Sequence, residues 1–209
     1  RLSSIEPQEL TAGIIRLAAN DPGLCRHFHI PLQSGDDRIL SAMRRPYRTV
    51  LVQRLIQKIY AAVPDVCIGM DVMVGFPGED DESFARTVDF VQELAPSYLH
   101  VFPFSPRPGT RAASFTPRVP EKTAGQRVER LRELSRGFQR EFHARFLGRQ
   151  LPAVLESEPS PNSGTVKVRT DNYIPVQVNT SGTCHCSGIF TVTITEIAGE
   201  EVLGSIIEQ

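Results

Sequence analysis

The run Val66-Cys67-Ile68-Gly69-Met70-Asp71-Val72-Met73-Val74, closed by Gly75-Phe76-Pro77-Gly78, constrains this chain more than any other segment. A stretch so poor in polar residues has no solvent face, and such strands are buried on both sides, as in parallel sheets covered by helices. The flanking sequence supplies the helices. Residues 49–63 place Leu51, Leu55, Ile59 and Val63 at helical spacing, and 81–94 start with acidic residues where the helix dipole favours them. His27–Leu32 and Tyr98–Phe102 read as further strands and residues 1–6 as a first one. A helical stretch from about Pro7 carries Leu10, Ile14, Ile15 and Leu17, and Asp36 caps a short helix through Met43. This alternation predicts an α/β domain of about four parallel strands joined by right-handed crossovers, too few to close an eight-stranded barrel.

A long amphipathic helix over 121–147 follows, and the pattern then changes. Short β runs at 151–157, 164–169, 173–178, 188–197 and 201–207, separated by Ser, Pro, Asn and Gly, predict a small antiparallel barrel of about five strands, OB-like. The expected division is therefore 1–147 and 148–209. No apolar run approaches the roughly 18 residues of a membrane span. The four cysteines, at 25, 67, 184 and 186, form no disulfide framework, which points to a reducing cytoplasm. Cys184-His185-Cys186 lacks the paired spacing of a zinc site, so no metal site is expected. The chain opens at Arg1 inside a strand-like run, which reads as a cut within a longer protein.

A net charge of −1 conceals an asymmetry: residues 1–150 hold 21 basic against 17 acidic groups, and 151–209 hold 2 against 7. Within 107–149 the count is 11 basic to 4 acidic, so a nucleic-acid partner is not excluded. In a parallel sheet functional residues gather at the carboxyl ends of the strands. Here those exits are polar: Ser3, Ser4 and Glu6; Gln33 and Ser34; Asp71 and the 75–79 turn; Ser105, Arg107 and Thr110. Each has an ordinary structural reading as cap, turn or salt-bridge partner, and their convergence on one rim is the informative point. Arg107, between two prolines, suits carboxylate or phosphate recognition. There is no Walker loop, dinucleotide fingerprint or nucleophile triad.

Four segments in order resemble the radical S-adenosylmethionine methylthiotransferases. They are Arg1-Leu2-Ser3-Ser4-Ile5-Glu6-Pro7, His29-Ile30-Pro31-Leu32-Gln33-Ser34-Gly35-Asp36-Asp37, Asp71-Val72-Met73-Val74-Gly75-Phe76-Pro77-Gly78-Glu79, and Phe104-Ser105-Pro106-Arg107-Pro108-Gly109-Thr110. The tail from about 148 is similar to that family's TRAM barrel, an RNA-binding module. Ser-Ser-Ile-Glu-Pro and Thr170-Asp171-Asn172-Tyr173-Ile174 look most like the branch acting on threonylcarbamoyladenosine beside the tRNA anticodon. The resemblance implies a partial radical-enzyme barrel, S-adenosylmethionine and two 4Fe-4S clusters as cofactors, and tRNA and an electron donor as partners. It places Gln33, Ser34, Val74, Gly75 and Phe102 at the cofactor, and Ser4, Glu6, Asp71 and Arg107 at the substrate. In the barrel it makes Lys167, Arg169 and Tyr173 RNA contacts, Tyr173 as a stacking ring or a buried one. With only two basic residues there, the Arg-rich segment 107–149, which includes Arg127, Arg130 and Arg140, is expected to carry much of the electrostatic RNA contact. The family's Cys-x-x-x-Cys-x-x-Cys is missing from this sequence, so the chain alone is expected to bind neither cluster and to be inactive. The alternatives are a methylthiotransferase acting on a ribosomal protein and a non-catalytic RNA-binding module. An open first strand would favour self-association.

Overall fold

The computed structural model describes residues 1–156, 164–179 and 188–207, so Cys184-His185-Cys186 lies outside the described residues. Three parallel strands, β1 (His27–Gln33), β2 (Cys67–Val74) and β3 (Tyr98–Pro103), form a sheet in the order β1-β2-β3. Strand periodicity divides its faces. Phe28, Ile30, Ile68, Met70, Val72, Leu99 and Val101 project onto the helix layer and are buried in the main core. The alternate positions, His27, His29, Cys67, Gly69, Asp71, Tyr98 and His100, share the other face. Gly69 is required there, because a Cβ would fall 2.1 Å from the Tyr98 ring.

The helices are α1 (Ala12–Asn20), α2 (Asp37–Ala42), α3 (Thr49–Ala62), α4 (Asp81–Leu94) and α5 (Glu121–Ala144). Side-chain oxygens of Thr11, Asp36 and Asp80 accept the backbone N–H three residues on, capping α1, α2 and α4. Val52, Leu55, Ile56 and Ile59 of α3, Val91 and Leu94 of α4, and Val128 and Leu131 of α5 complete the core. Ser135 of α5 covers the outer edge of β3, its Oγ accepting from Leu99 N–H at 2.9 Å.

The expected first strand is reduced to one parallel bridge, Leu2 with Phe28, and one hydrogen bond from Ile5 N–H to the His29 carbonyl at 3.0 Å. Ser4 breaks it: its φ of 54° is left-handed and turns the chain out of line. The parallel sheet therefore has three strands and a bridge rather than four strands.

The second unit is a closed barrel of β4 (Gln150–Leu155), β5 (Thr165–Thr170), β6 (Pro175–Asn179), β7 (Ile189–Ala198) and β8 (Glu201–Ile207), ordered β4-β5-β6-β8-β7. Four pairings are antiparallel. The β6–β8 closure is parallel, so the barrel is mixed rather than wholly antiparallel. Its core of Leu151, Val166, Val168, Val176, Val178, Val192 and Ile194 is continuous with Phe142 and Phe146 and with Cys67 and Tyr98 at the starts of β2 and β3. Polar groups reinforce the junction: Arg26 donates to Asp171 at 2.7 Å and to Asp65 at 3.2 Å, and Arg149 grips Asp65 at 2.6 Å. None of the described helices is long and apolar enough to cross a membrane.

The His27 ring is sealed into this junction, its Nε2 3.0 Å from the Tyr98 hydroxyl and its face 4.1 Å from Tyr173. Burial, reinforced by Arg1, lowers its pKa from 6.5 to about 3, and burial lowers that of His143 to about 4. Both rings titrate near 6.5 in the unfolded chain, so as pH falls below that value the unfolded state takes up protons that the folded state refuses. Stability is retained above about pH 6.5 and lost below it, by roughly 1–2 kcal/mol per ring at about pH 5. Urea unfolding should show this loss between about pH 7.5 and pH 5. A flat profile would contradict the sealed junction.

Candidate functional site at the carboxyl rim of the sheet

Parallel strands deliver their carboxyl ends, and the loops after them, to one rim. After β2 the chain reverses through Gly75, at φ 76°, where a Cβ would stand 3.0 Å from the Ala124 Cβ of α5. Glu79 fixes the turn: its carboxylate accepts from Gly75 N–H at 2.9 Å and from Arg127 at 2.6 Å. Burial pushes the Glu79 carboxyl upward, against the Gly75 and Arg127 hydrogen bonds that favour its charged form. Those bonds, with both partners buried, make an ionised pair the arrangement that satisfies every group.

A cavity of about 450 Å³ opens at this rim. Its floor is apolar, built from Met73, Phe76, Phe104 and Phe115. Phe104 and Phe115 meet Phe76 edge-on at centroid distances of 5.2 and 6.2 Å. Its wall is cationic: Arg44, Arg45, Arg107 and Arg111 line it beside Gln33. Arg45 is paired with Glu6 at 2.9 Å. Among the described residues no ion pair engages Arg44, Arg107 or Arg111. Arg107 stands on a turn whose carbonyl accepts from the Thr110 hydroxyl at 2.8 Å. Guanidinium groups around an aromatic floor suit a planar ring that carries an anionic group.

Gln33, Arg107 and, through Arg45, Glu6 thus meet at the rim. Phe102 lies beside Met73 in register on the inner face. Ser4 and Asp71 sit deeper on that face: Ser4 Oγ is 3.4 Å from His29 Nδ1, and Asp71 Oδ1 is 3.1 Å from His29 Nε2. Ser34 and Val74 are placed otherwise than expected. The Ser34 hydroxyl contacts Thr87 at 3.2 Å and accepts from Asp36 N–H, and the Val74 side chain is fully buried in the helix-side core. Even strand positions of β2 face the helices, so Val74 offers the rim only its backbone, and its carbonyl accepts from Phe104 N–H at 2.8 Å. Gly75 offers no side chain, and its N–H is held by Glu79.

The barrel residues lie at the other end of the sheet. Tyr173 stacks on His27, with Arg169 4.6 Å and Arg1 4.9 Å from its ring centre, and Arg169 is paired with Glu156. Its two faces are occupied from within the protein, so Tyr173 is the junction ring and not an open stacking platform. Only Lys167 of this set is exposed. Arg127 is 5% exposed and cannot reach RNA, whereas Arg130 and Arg140 are exposed. Missed from the sequence were Arg44, Arg45 and Arg111 and the Phe76-Phe104-Phe115 cluster. The nearest signal was the Met43-Arg44-Arg45 run directly after α2.

Residues 8–91 match the radical SAM superfamily. The chain is 36% identical over 204 residues to the tRNA-2-methylthio-N(6)-dimethylallyladenosine synthase of Thermobifida fusca (strain YX), covering 95% of this chain and 41% of that protein. It is 35% identical over 177 residues to the threonylcarbamoyladenosine tRNA methylthiotransferase MtaB of Aquifex aeolicus (strain VF5), covering 85% and 42% respectively. Among solved structures, coproporphyrinogen III oxidase of Escherichia coli, described as a radical SAM enzyme, aligns with a TM-score of 0.50 at 19% identity, over 67% of this chain and 32% of that one. The fold and the sequence match together define a member of the radical SAM superfamily. Within it, this chain belongs to the methylthiotransferase family and spans about two fifths of the length of the relatives it matches.

The described cysteines do not fit an iron–sulfur cluster. Among the described residues only Cys25 and Cys67 carry thiols, fewer than a cluster takes, and burial pushes the Cys67 thiol up to about 12, away from the thiolate a cluster needs.

The turn makes a direct prediction. Arg127→Met leaves the Glu79 carboxylate buried without its cation and should cost about 3–5 kcal/mol in chemical unfolding. Glu79→Gln/Arg127→Met should recover part of that loss. Equal cost in the single and double variants would show that the pair is not coupled.

Proposed function

We propose that this chain forms the substrate-facing rim and the RNA-binding module of a tRNA methylthiotransferase that acts at C2 of N6-threonylcarbamoyladenosine. The observation that carries the reading is the rim cavity, with its aromatic floor and the guanidiniums of Arg44, Arg107 and Arg111. A threonylcarbamoyl group bears a carboxylate, whereas a dimethylallyl group is purely apolar. Unpaired guanidiniums favour the former and gain nothing from the latter. The relatives include proteins named for each substrate, so overall similarity does not choose between them, and the charge of the cavity supports the threonylcarbamoyl reading.

In such an enzyme S-adenosylmethionine and its 4Fe-4S clusters, with an external electron donor, supply the radical and sulfur chemistry. The residues of this chain would bind and orient. Gln33 and Phe102 would contact the cofactor, Arg107 and Arg111 would hold the carboxylate of the modified base, and Arg45 would be steadied by Glu6. The floor phenylalanines would exclude water from the reacting edge. The 209 residues contain no Cys-x-x-x-Cys-x-x-Cys, so the chain alone would not cleave the cofactor.

The barrel is read as the TRAM module. Its five-strand closure supports this, and its RNA-facing side would combine Lys167 with exposed arginines of α5 rather than Arg169 or Tyr173. Arg130 and Arg132 form exposed pairs with Glu133 and Glu129, which solvent screens. Arg136 and Arg140 add further positive charge to the helix.

Two measurements test the reading. The complete enzyme containing this chain should bind an anticodon stem-loop bearing threonylcarbamoyladenosine about tenfold more tightly than the unmodified one. Arg111→Ala should abolish that preference. Equal affinity for the two, or preference for a dimethylallyl stem-loop, would overturn the assignment. For the RNA path, Arg136→Gln/Arg140→Gln should reduce the slope of log affinity against log salt by about 1–2. An unchanged slope would remove α5 from the interface.

A further inference from the structure

We propose that His29, Asp71 and His100, one from each strand on the inner face of the sheet, form a binding site for a single divalent transition-metal ion of the zinc class. Asp71 Oδ1 stands 3.1 Å from His29 Nε2 and 3.5 Å from His100 Nδ1, and all the donor atoms lie within 4.8 Å of one another. Hydrogen bonding among the three does not explain the cluster. His29 Nε2 is buried and, although 3.1 Å from the Asp71 carboxylate, makes no hydrogen bond. The 3.5 Å separation exceeds the usual N–H···O range. A tetrahedral zinc ion with ligand bonds of about 2.0–2.1 Å has ligand-to-ligand edges of about 3.3 Å, and the two separations bracket that value.

The surroundings agree with this assignment. Ser4 Oγ lies 3.4 Å from the other ring nitrogen of His29, the position of the outer partner that orients a metal-bound imidazole. The two imidazoles meet edge to face, centroids 4.9 Å apart at 61°, so they converge instead of stacking. His29 is closed in, with 10% of its side chain exposed, while His100 is 58% exposed. One side of the site is walled and the other is open. Three protein ligands with an open fourth position are the pattern of an exchangeable or catalytic site rather than a sealed structural one. Two imidazoles and a carboxylate select zinc, ferrous iron or manganese over magnesium and calcium. The site is independent of the reaction proposed above, since it uses none of the rim arginines.

Zinc itself is the probe. The 209-residue chain carrying Cys184→Ser and Cys186→Ser, so that tail thiols cannot compete, is stripped with chelator and titrated calorimetrically with zinc chloride. Asp71→Asn and His100→Ala versions are titrated alongside it, with circular dichroism confirming equal folding. One equivalent should bind, and each substitution should weaken binding at least tenfold. His100→Ala removes a mostly exposed side chain and so tests the site without burdening the core. Absence of saturable binding in the parent, or affinity unchanged by His100→Ala, would overturn the proposal. So would ring-nitrogen NMR showing that His29 carries two protons with and without zinc, because a proton alone would then hold the cluster together.

Discussion

The buried pair of Glu79 and Arg127 fixes the relation between the sheet and everything that follows it. A carboxylate that has lost its water must find donors, and here they are the backbone of Gly75 and the guanidinium of α5. The turn after β2 and the long helix are therefore one unit. Along α5, Ser135 satisfies the edge of β3, and Phe142 and Phe146 extend from the end of the helix into the barrel core. Register is thus carried from the rim, down the helix, to the opposite end of the sheet.

That geometry separates two environments. At the carboxyl rim, loops carry unpaired arginines over phenylalanines. At the amino end, His27, Tyr98 and Tyr173 stack in a junction bounded by Arg26, Asp65, Asp171 and Arg149. The charged groups of the junction are paired with one another, while His27 Nδ1 and Asp171 Oδ1 make no hydrogen bond there. Thr170-Asp171-Asn172-Tyr173-Ile174, which resembles one branch of the family, is a tight turn: the Thr170 hydroxyl donates to the Asn172 side chain at 2.7 Å and accepts from Ile174 N–H at 2.9 Å. Its structural role is to close the barrel onto the sheet.

Much of this was legible in the sequence, and the failures have physical causes. The apolar run of β2, the cap Asp36, and the glycine turn after Val74 are local signals, and local signals predict local structure. The first strand failed because a left-handed Ser4 cannot be read from residue type. The parallel β6–β8 closure joins strands distant in sequence, so periodicity carries no trace of it. Arg127 was readable: it lies in the stripe of Ala124, Val128 and Leu131, and a charge in an apolar stripe demands a buried partner. Counting charge across 107–149 without phase put it on the surface. The Ser34 and Val74 side chains turn away from the rim for a related reason, since proximity to a strand end does not fix which way a side chain points.

The metal-capable cluster shows the complementary limit. Residues 29, 71 and 100 have no spacing that marks a site, because parallel strands are separated by whole crossover helices and register alone brings them level. Asp71 lies opposite His100 in the β2–β3 ladder, and His29 lies opposite Gly69, two residues before Asp71 on the same face. Gly69 has no side chain, so the Tyr98 ring can lie across its position, and Asp71 becomes the first acidic group on β2 that the two imidazoles can share. An apolar residue at Asp71 would leave two imidazoles edge to face with nothing negative between them. The single polar interruption in an otherwise apolar strand is thus the position at which this face of the sheet acquires its chemistry.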